Sequence, residues 1–249
     1  MARPIAYGVN LLETSTVSVT GEAAGKGKER LTDREIVLPY QDSGITTPRR
    51  LTADQGAGVS TPWDTWIVPP GHNLNGLTLQ AETSPDMASW TERDSFVPGS
   101  TGLILRTPGG GPFSFRGMRL TINSPASPPS LGELLFTTKY ELPVGPSIGG
   151  LEAGHVSGVT RAESAGGYVW KVRHWGPLWS ARYRLDDLTV AQRDTLLTLF
   201  ETLASGAKPF YLTDHDGTTR WVEWMNPEAL FQAAPVSLHG VELAFREVK

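Results

Sequence analysis

The side chains that could do chemistry are few, and their spacing suits little of it. Five histidines are present, His72, His155, His174, His215 and His239, and none stands in a H-E-x-x-H or related metal-binding spacing. Asp214-His215-Asp216 sets an imidazole between two carboxylates. Three adjacent residues of an extended turn seldom converge on one ion, and Gly217 behind them makes the run read as a polar hairpin tip. Gly145-Pro146-Ser147-Ile148-Gly149 fits the string of a nucleophile elbow, which needs a strand before the serine and a helix after it. Pro and Gly surround this string, so it reads as a loop. Gly109-Gly110-Gly111 lacks the Lys-Ser/Thr ending of a phosphate loop and reads as a strand connection. A carboxylate pair for glycoside hydrolysis is assembled only by the fold and leaves no linear signature. The absence of cysteine excludes disulfides, thiolate metal sites, iron–sulfur clusters and thiol catalysis. The expectation is a non-enzymatic chain with no catalytic residue, no metal and no cofactor.

The eight tryptophans carry more information. Trp66, Trp170 and Trp221 fall on the apolar side of alternating runs and are expected in a core. Trp63, Trp90 and Trp175 fall at turns, where an indole either packs inward, anchors a subunit contact or stacks on a sugar.

The elements that would position these residues are mostly strands. Thr16–Thr20, Asp64–Val68, Gly76–Glu82 and Gly102–Arg106 are short apolar or alternating runs, and Phe113, Phe115, Met118, Leu120 and Ile122 continue the pattern. Turn residues separate them, which predicts an all-β sandwich or jelly roll. Further strands follow at Tyr168–Arg173 and Leu178–Leu185, then one helix over 189–205. Thr189 and Gln192 make a capping box, with Asp186-Asp187 as a lead-in that complements the helix dipole. Leu196, Leu199, Phe200 and Leu203 form one apolar face, and Gly206 and Pro209 end the helix. Pro209–Thr213 and Thr219–Met225 form a hairpin about Asp216-Gly217, and Val236–Val248 supplies the last strand.

The 249 residues suit one large or two ordinary domains, and 27 Gly with 19 Pro imply many turns. Asn123–Ser130 holds three prolines and three serines and reads as an extended linker. The expected organisation is a sandwich over 1–122, a linker over 123–131 and a β-domain with one helix over 132–249. Leu142–Gly150 is a Pro/Gly loop. Net charge is −4, with no overall basic footprint for nucleic acid. The low charged fraction, 19%, suits a surface partly covered by partners. No run approaches the ~18 apolar residues of a membrane-spanning helix, and the first eight residues lack the apolar stretch of a secretory signal. Synthesis in a cytoplasm without a cleaved leader is expected.

Two resemblances rest on particular residues. Arg50–Gly58, Trp63–Pro70, the tract Gly71-His72-Asn73-Leu74-Asn75-Gly76, Leu77–Asp86 with Trp90, and Arg119–Ile122 resemble the galactose-binding-like (discoidin-like) β-sandwich over about 10–122. That family includes glycan binders and modules of phage virions. Leu185–Val248, with its helix, Pro209–Asp214, Trp221-Val222 and closing Gly240–Val248, is similar to distal and minor tail proteins of long-tailed phages. Gly132-Glu133-Leu134 resembles the connector that follows the sandwich in such proteins. The order differs from that family's usual one, in which the tube-like domain comes first.

These resemblances imply a mainly β protein: a galactose-binding-like sandwich followed by a tail-tube-like β-domain. The function they imply is structural, as part of a homo-oligomeric ring in a phage tail tip or baseplate beside tail-tube proteins in the virion. The alternative is a glycan-binding host-adhesion module. The candidates for ligand or interface contact are Trp63, Trp90 and Trp175, with His72 and Asn73 in the G-H-N-L tract.

Overall fold

The structure is a computed structural model. It describes residues 2–46, 48–143, 145, 151–163, 169–203, 207–226, 232–233 and 239–248; of 158–163, 169–175 and 232–233 it describes the backbone alone. The fold is mainly β and antiparallel throughout its described pairings, with one α-helix. The chain forms two compact units, Val9–Lys139 and the pair of segments Met1–Gly8 with Tyr140–Lys249.

The chain begins with β1 (Ile5–Tyr7) and then enters the first unit. That unit contains β2 (Thr16–Val19), β3 (Tyr40–Gln41), β4 (Arg49–Asp54), β5 (Thr65–Val68) and β6 (Thr78–Ser84). It continues with β7 (Thr91–Phe96), β8 (Ile104–Arg106), β9 (Gly117–Asn123), β10 (Ser130–Leu131) and β11 (Leu135–Thr137). A five-stranded sheet, β2-β4-β9-β6-β7, accompanies a three-stranded sheet, β11-β5-β8, and β10 pairs with β3. Period-two alternation explains the core. Leu51, Ala53, Leu79, Ala81, Met118, Leu120 and Ile122 of the larger sheet cluster with Trp66, Val68, Ile104 and Phe136 of the smaller one. The expected sandwich is therefore present.

The second unit comprises β1, β12 (Tyr140–Glu141), β13 (Leu151–Glu163), β14 (Val169–Leu188), α1 (Val190–Thr202), β15 (Phe210–Thr213), β16 (Thr219–Trp224), β17 (Gln232–Ala233) and β18 (His239–Glu247). The sheet order is β12-β1-β15-β16-β18-β14-β13, with β17 also on β18. The capping box forms as expected: the Gln192 amide donates to Thr189 Oγ1, and the Thr189 amide donates to Gln192 Oε1. Leu196, Leu199, Phe200 and Leu203 are all buried, in one cluster with Phe210, Val222, Trp224 and Phe245. A Cβ on Gly8 would stand 3.1 Å from both Leu199 and Leu203, so glycine lets β1's end approach the helix.

Several boundaries differ from the sequence reading. Residues 123–131 are no linker. Pro128 and Pro129 lend their carbonyls to Asn73 and Asp42, and Leu131, Leu134 and Phe136 enter the sandwich core. A proline-rich stretch has few donors but many acceptors, so it serves as well for a stitched loop as for a spacer. The sandwich ends at Lys139 rather than 122, and residues 1–8 belong to the other unit, where Ala6 is buried between β12 and β15. Asp186-Asp187 is a bulge at the end of β14, with Asp187 at φ 61°. The helix ends by Thr202, short of 205, and Gly206 lies outside the described residues. Phe113 makes only an isolated bridge to Trp63, and Phe115 belongs to no strand.

Candidate functional site

The structure sorts the five candidate residues by what each touches. Trp63 is fully buried, with its ring 5.1 Å from Phe113 and 4.8 Å from Phe136. No ligand reaches it. Its place before β5 looked like a turn, but the Trp63–Phe113 bridge continues the sheet inward.

His72 is also buried. Its Nδ1 accepts the Leu74 amide at 3.2 Å, so Nε2 carries the proton and donates to the Gly102 carbonyl at 2.8 Å. Burial pushes its pKa below the ordinary imidazole range and keeps it neutral. Asn73 lies on the surface with both ends of its amide occupied. Oδ1 accepts the Ser130 amide at 2.7 Å, and Nδ2 donates to the Pro128 carbonyl at 2.9 Å. The G-H-N-L tract thus ties one end of the sandwich together rather than presenting a ligand surface. Trp175 sits on β14 opposite Gly158, and its side chain lies outside the described ones.

Trp90 remains. It is half-buried just before β7, with Nε1 donating to the Met87 carbonyl at 3.2 Å. The Arg119 guanidinium lies 4.0 Å from its ring centroid. Arg119 in turn grips Glu82 with two bonds, 2.8 and 2.7 Å, and Thr121 Oγ1 donates to the same carboxylate. Burial raises the Glu82 pKa, but these donors outweigh it and hold the group below the usual carboxylate range. The outward face of β6 and β9 therefore carries paired charges beside a half-buried indole.

The same end of the sandwich contains an open groove of about 320 Å³ that sequence reasoning missed. Gly58, Val59 and Ser60 form one wall, and Ser114, Phe115 and Arg116 form the other. Pro85, in the turn that leads to Trp90, completes the lining. The sequence marks Phe115 only as part of an apolar run and Arg116 not at all, because the groove's residues come from three separate loops.

In the other unit, Asp214 is buried and accepts from the Tyr183 hydroxyl, from His215 Nδ1 at 2.6 Å and from the His215 amide at 2.7 Å. Burial and the neighbouring carboxylate push the Tyr183 pKa up. Arg220 lies 3.5 Å from Asp214 and 4.5 Å from the Trp179 ring centroid. This arrangement fastens the β15–β16 turn to β14. Among the described residues, no group of three or more His, Asp or Glu side chains is placed to hold a metal ion.

The feature least expected from sequence is the β13–β14 hairpin. β14 pairs with β18 only over Ser180–Leu188, whereas its earlier part, Val169–Leu178, pairs with β13 alone. Residues 152–157 of β13 are exposed on both faces. No third strand joins this arm among the described residues.

No family model and no curated protein matches the chain. Several solved structures are similar. Chitosan-binding module 1 of a chitosanase/glucanase from Paenibacillus sp. IK-5 shares 16% identity at a TM-score of 0.44, over 53% of this chain and 98% of that one. CpGH89CBM32-5 from Clostridium perfringens, in complex with GalNAc-β-1,3-galactose, shares 14% at 0.44, over 53% and 99%. SpGH29 shares 16% at 0.44, and the match spans only 28% of its chain. No tail protein is among these three.

Proposed function

We propose that this chain is a non-enzymatic structural subunit of a multi-copy assembly of the kind built at a phage tail tip or baseplate, made in the host cytoplasm and used in the virion. The β13–β14 arm is the observation that carries this reading. A two-stranded hairpin standing alone in water is marginally stable, and β13 presents a long edge, without a proline, that no other strand joins among the described residues. Such an edge is completed by a neighbouring subunit, and a head-to-tail contact of this type builds a ring when its rotation closes. The resemblance of Leu185–Val248 to tail proteins supports the same partner, a second copy beside the tail tube. Along the chain, the sandwich is inserted between β1 and β12 of the assembly domain.

Sedimentation velocity on the full chain, compared with a variant whose arm is shortened to end β13 at Val156 and begin β14 at Leu178, tests this reading. A closed oligomer that the shortened chain fails to form is expected. Monomers from both proteins, with and without tail-tube protein as template, would contradict it.

A second function, glycan binding by the sandwich, is favoured by the half-buried Trp90 ring beside the Arg119–Glu82 pair. A half-buried indole on such a surface offers a stacking platform for a sugar ring. A glycan array probed with the intact chain tests it, and an array without signal would sink it.

A further inference from the structure

We infer that the groove between residues 58–60 and 114–116 binds one uncharged, pyranose-sized ligand unit, such as the terminal sugar of a glycan. This deepens the glycan-binding reading and rests on it.

Size comes first. A volume of about 320 Å³ sits at the low end of the ~300–1,000 Å³ range of small-molecule sites. The groove is open, which suits a terminal unit with the remainder of a chain in solvent.

Rigidity comes next. Gln55 Nε2 donates to the carbonyls of Thr61 and Phe115 at 3.2 and 3.1 Å, and its Oε1 accepts the Thr61 amide at 2.8 Å. One side chain thereby clamps the 55–61 loop to the opposite wall. Asp54 Oδ1 accepts the Gly56 amide at 2.8 Å and fixes the loop's start. Gly56 and Gly58 turn the backbone at φ +99° and +81°, a region that glycine adopts without strain. Walls held in this way lose little freedom on binding.

Charge decides the ligand class. Arg116 is the cation of the groove, and it spends Nε and Nη2 on Asp54 at 2.8 and 2.7 Å. Those bonds hold the Asp54 carboxyl below the usual carboxylate range, so the pair stays ionised and mutually neutralised. A phosphate or carboxylate would have to compete with Asp54 for the guanidinium. Hydroxyl groups need no such exchange: the remaining N–H groups of Arg116, whose side chain is one-third exposed, can donate, and the Ser60 and Ser114 hydroxyls can donate or accept. Apolar contact is supplied by Val59, which is 46% exposed, and by Phe115, whose ring centroid lies 4.7 Å from the Arg93 guanidinium. Alternating hydroxyls and C–H faces are what a pyranose presents to such a mixture.

The test is saturation-transfer NMR on the full chain, with methyl β-galactopyranoside and methyl N-acetyl-β-glucosaminide as neutral probes and glucose 6-phosphate as a charged one. Val59→Arg places a long charged side chain into the groove from an exposed position that should not disturb folding; Phe115→Leu removes the aromatic platform. Transfer to at least one neutral probe, weakened about tenfold or more by Val59→Arg at unchanged melting temperature, is expected. A weaker response to glucose 6-phosphate and a partial loss in Phe115→Leu should accompany it. Neutral-sugar binding untouched by Val59→Arg would overturn the groove while leaving glycan binding intact. Preferred binding of the phosphate would overturn the charge argument. No transfer to any probe, with no glycan retained on an array, would overturn both readings.

Discussion

Glu133 is fully buried with Oε2 unpartnered, while Oε1 accepts from Asn10 at 3.3 Å and lies 3.6 Å from Arg34. Burial pushes its pKa from 4.5 up to about 8; Arg34 and Asn10 pull against that, and Glu13 and Asp33 add to it. Because the folded state holds this proton more tightly than the unfolded state, the sandwich should be most stable below pH 4.5 with respect to this group and lose that contribution as pH rises through about 8. Calorimetry across this window should show a falling melting temperature in the native chain and a flatter profile in Glu133→Gln. Equal slopes would refute the assignment. Tyr183→Phe tests a second buried carboxylate: removing a donor from Asp214 should cost about 1–3 kcal/mol in urea unfolding. Neither environment was legible in the sequence, since Glu133 and Asp214 acquire their partners from residues up to 123 and 31 positions away. The burial of Trp63 and His72 was hidden for the same reason. Residue type marked them as notable, but only the fold decides whether an indole or imidazole faces a core or a ligand.

At the scale of elements, local signals served well where the chain satisfies its own backbone. The capping box at Thr189 and the apolar stripe ending at Leu203 defined α1 directly, because both depend on contacts within a few residues. Phe200 packs edge-on to Trp224 at 5.0 Å and is buried. Phe200→Ala should therefore destabilise its unit by ~3–5 kcal/mol by chemical denaturation. A loss under ~1 kcal/mol, the size of a surface change, would mean the ring contributes little to the core. Thr189→Ala should cost about 1 kcal/mol through the lost cap. β13 was invisible for the opposite reason. Its run of Ala153, Gly154, Ser157 and Gly158 shows no apolar alternation, because residues 152–157 have no core to face on either side. The strand is specified by pairing with β14.

At the scale of the whole molecule, the units interleave along the chain. β1 pairs with β12 and β15, so residues 1–8 complete a sheet whose other strands all follow residue 139. A fragment of residues 9–139 should fold alone. A fragment of 132–249, cut at the boundary that the Pro/Ser-rich stretch suggested, should expose the β12 and β15 edges and aggregate. Circular dichroism and sedimentation of both fragments check this. The sandwich and the one-helix β-domain were legible from strand alternation and family resemblance; the interleaving was not, because three residues of β1 carry too little pattern to reveal a distant partner.

The tail-tip reading requires that the β13–β14 arm be completed by another subunit. Amide hydrogen exchange, followed by mass spectrometry on dissociated and assembled protein, measures this directly. Peptides covering residues 152–163 should exchange quickly in the dissociated chain, where the β13 edge is open, and become strongly protected on assembly, while the sandwich core at 117–123 stays unchanged. Equal exchange of the 152–163 peptides in both states would contradict assembly through the arm.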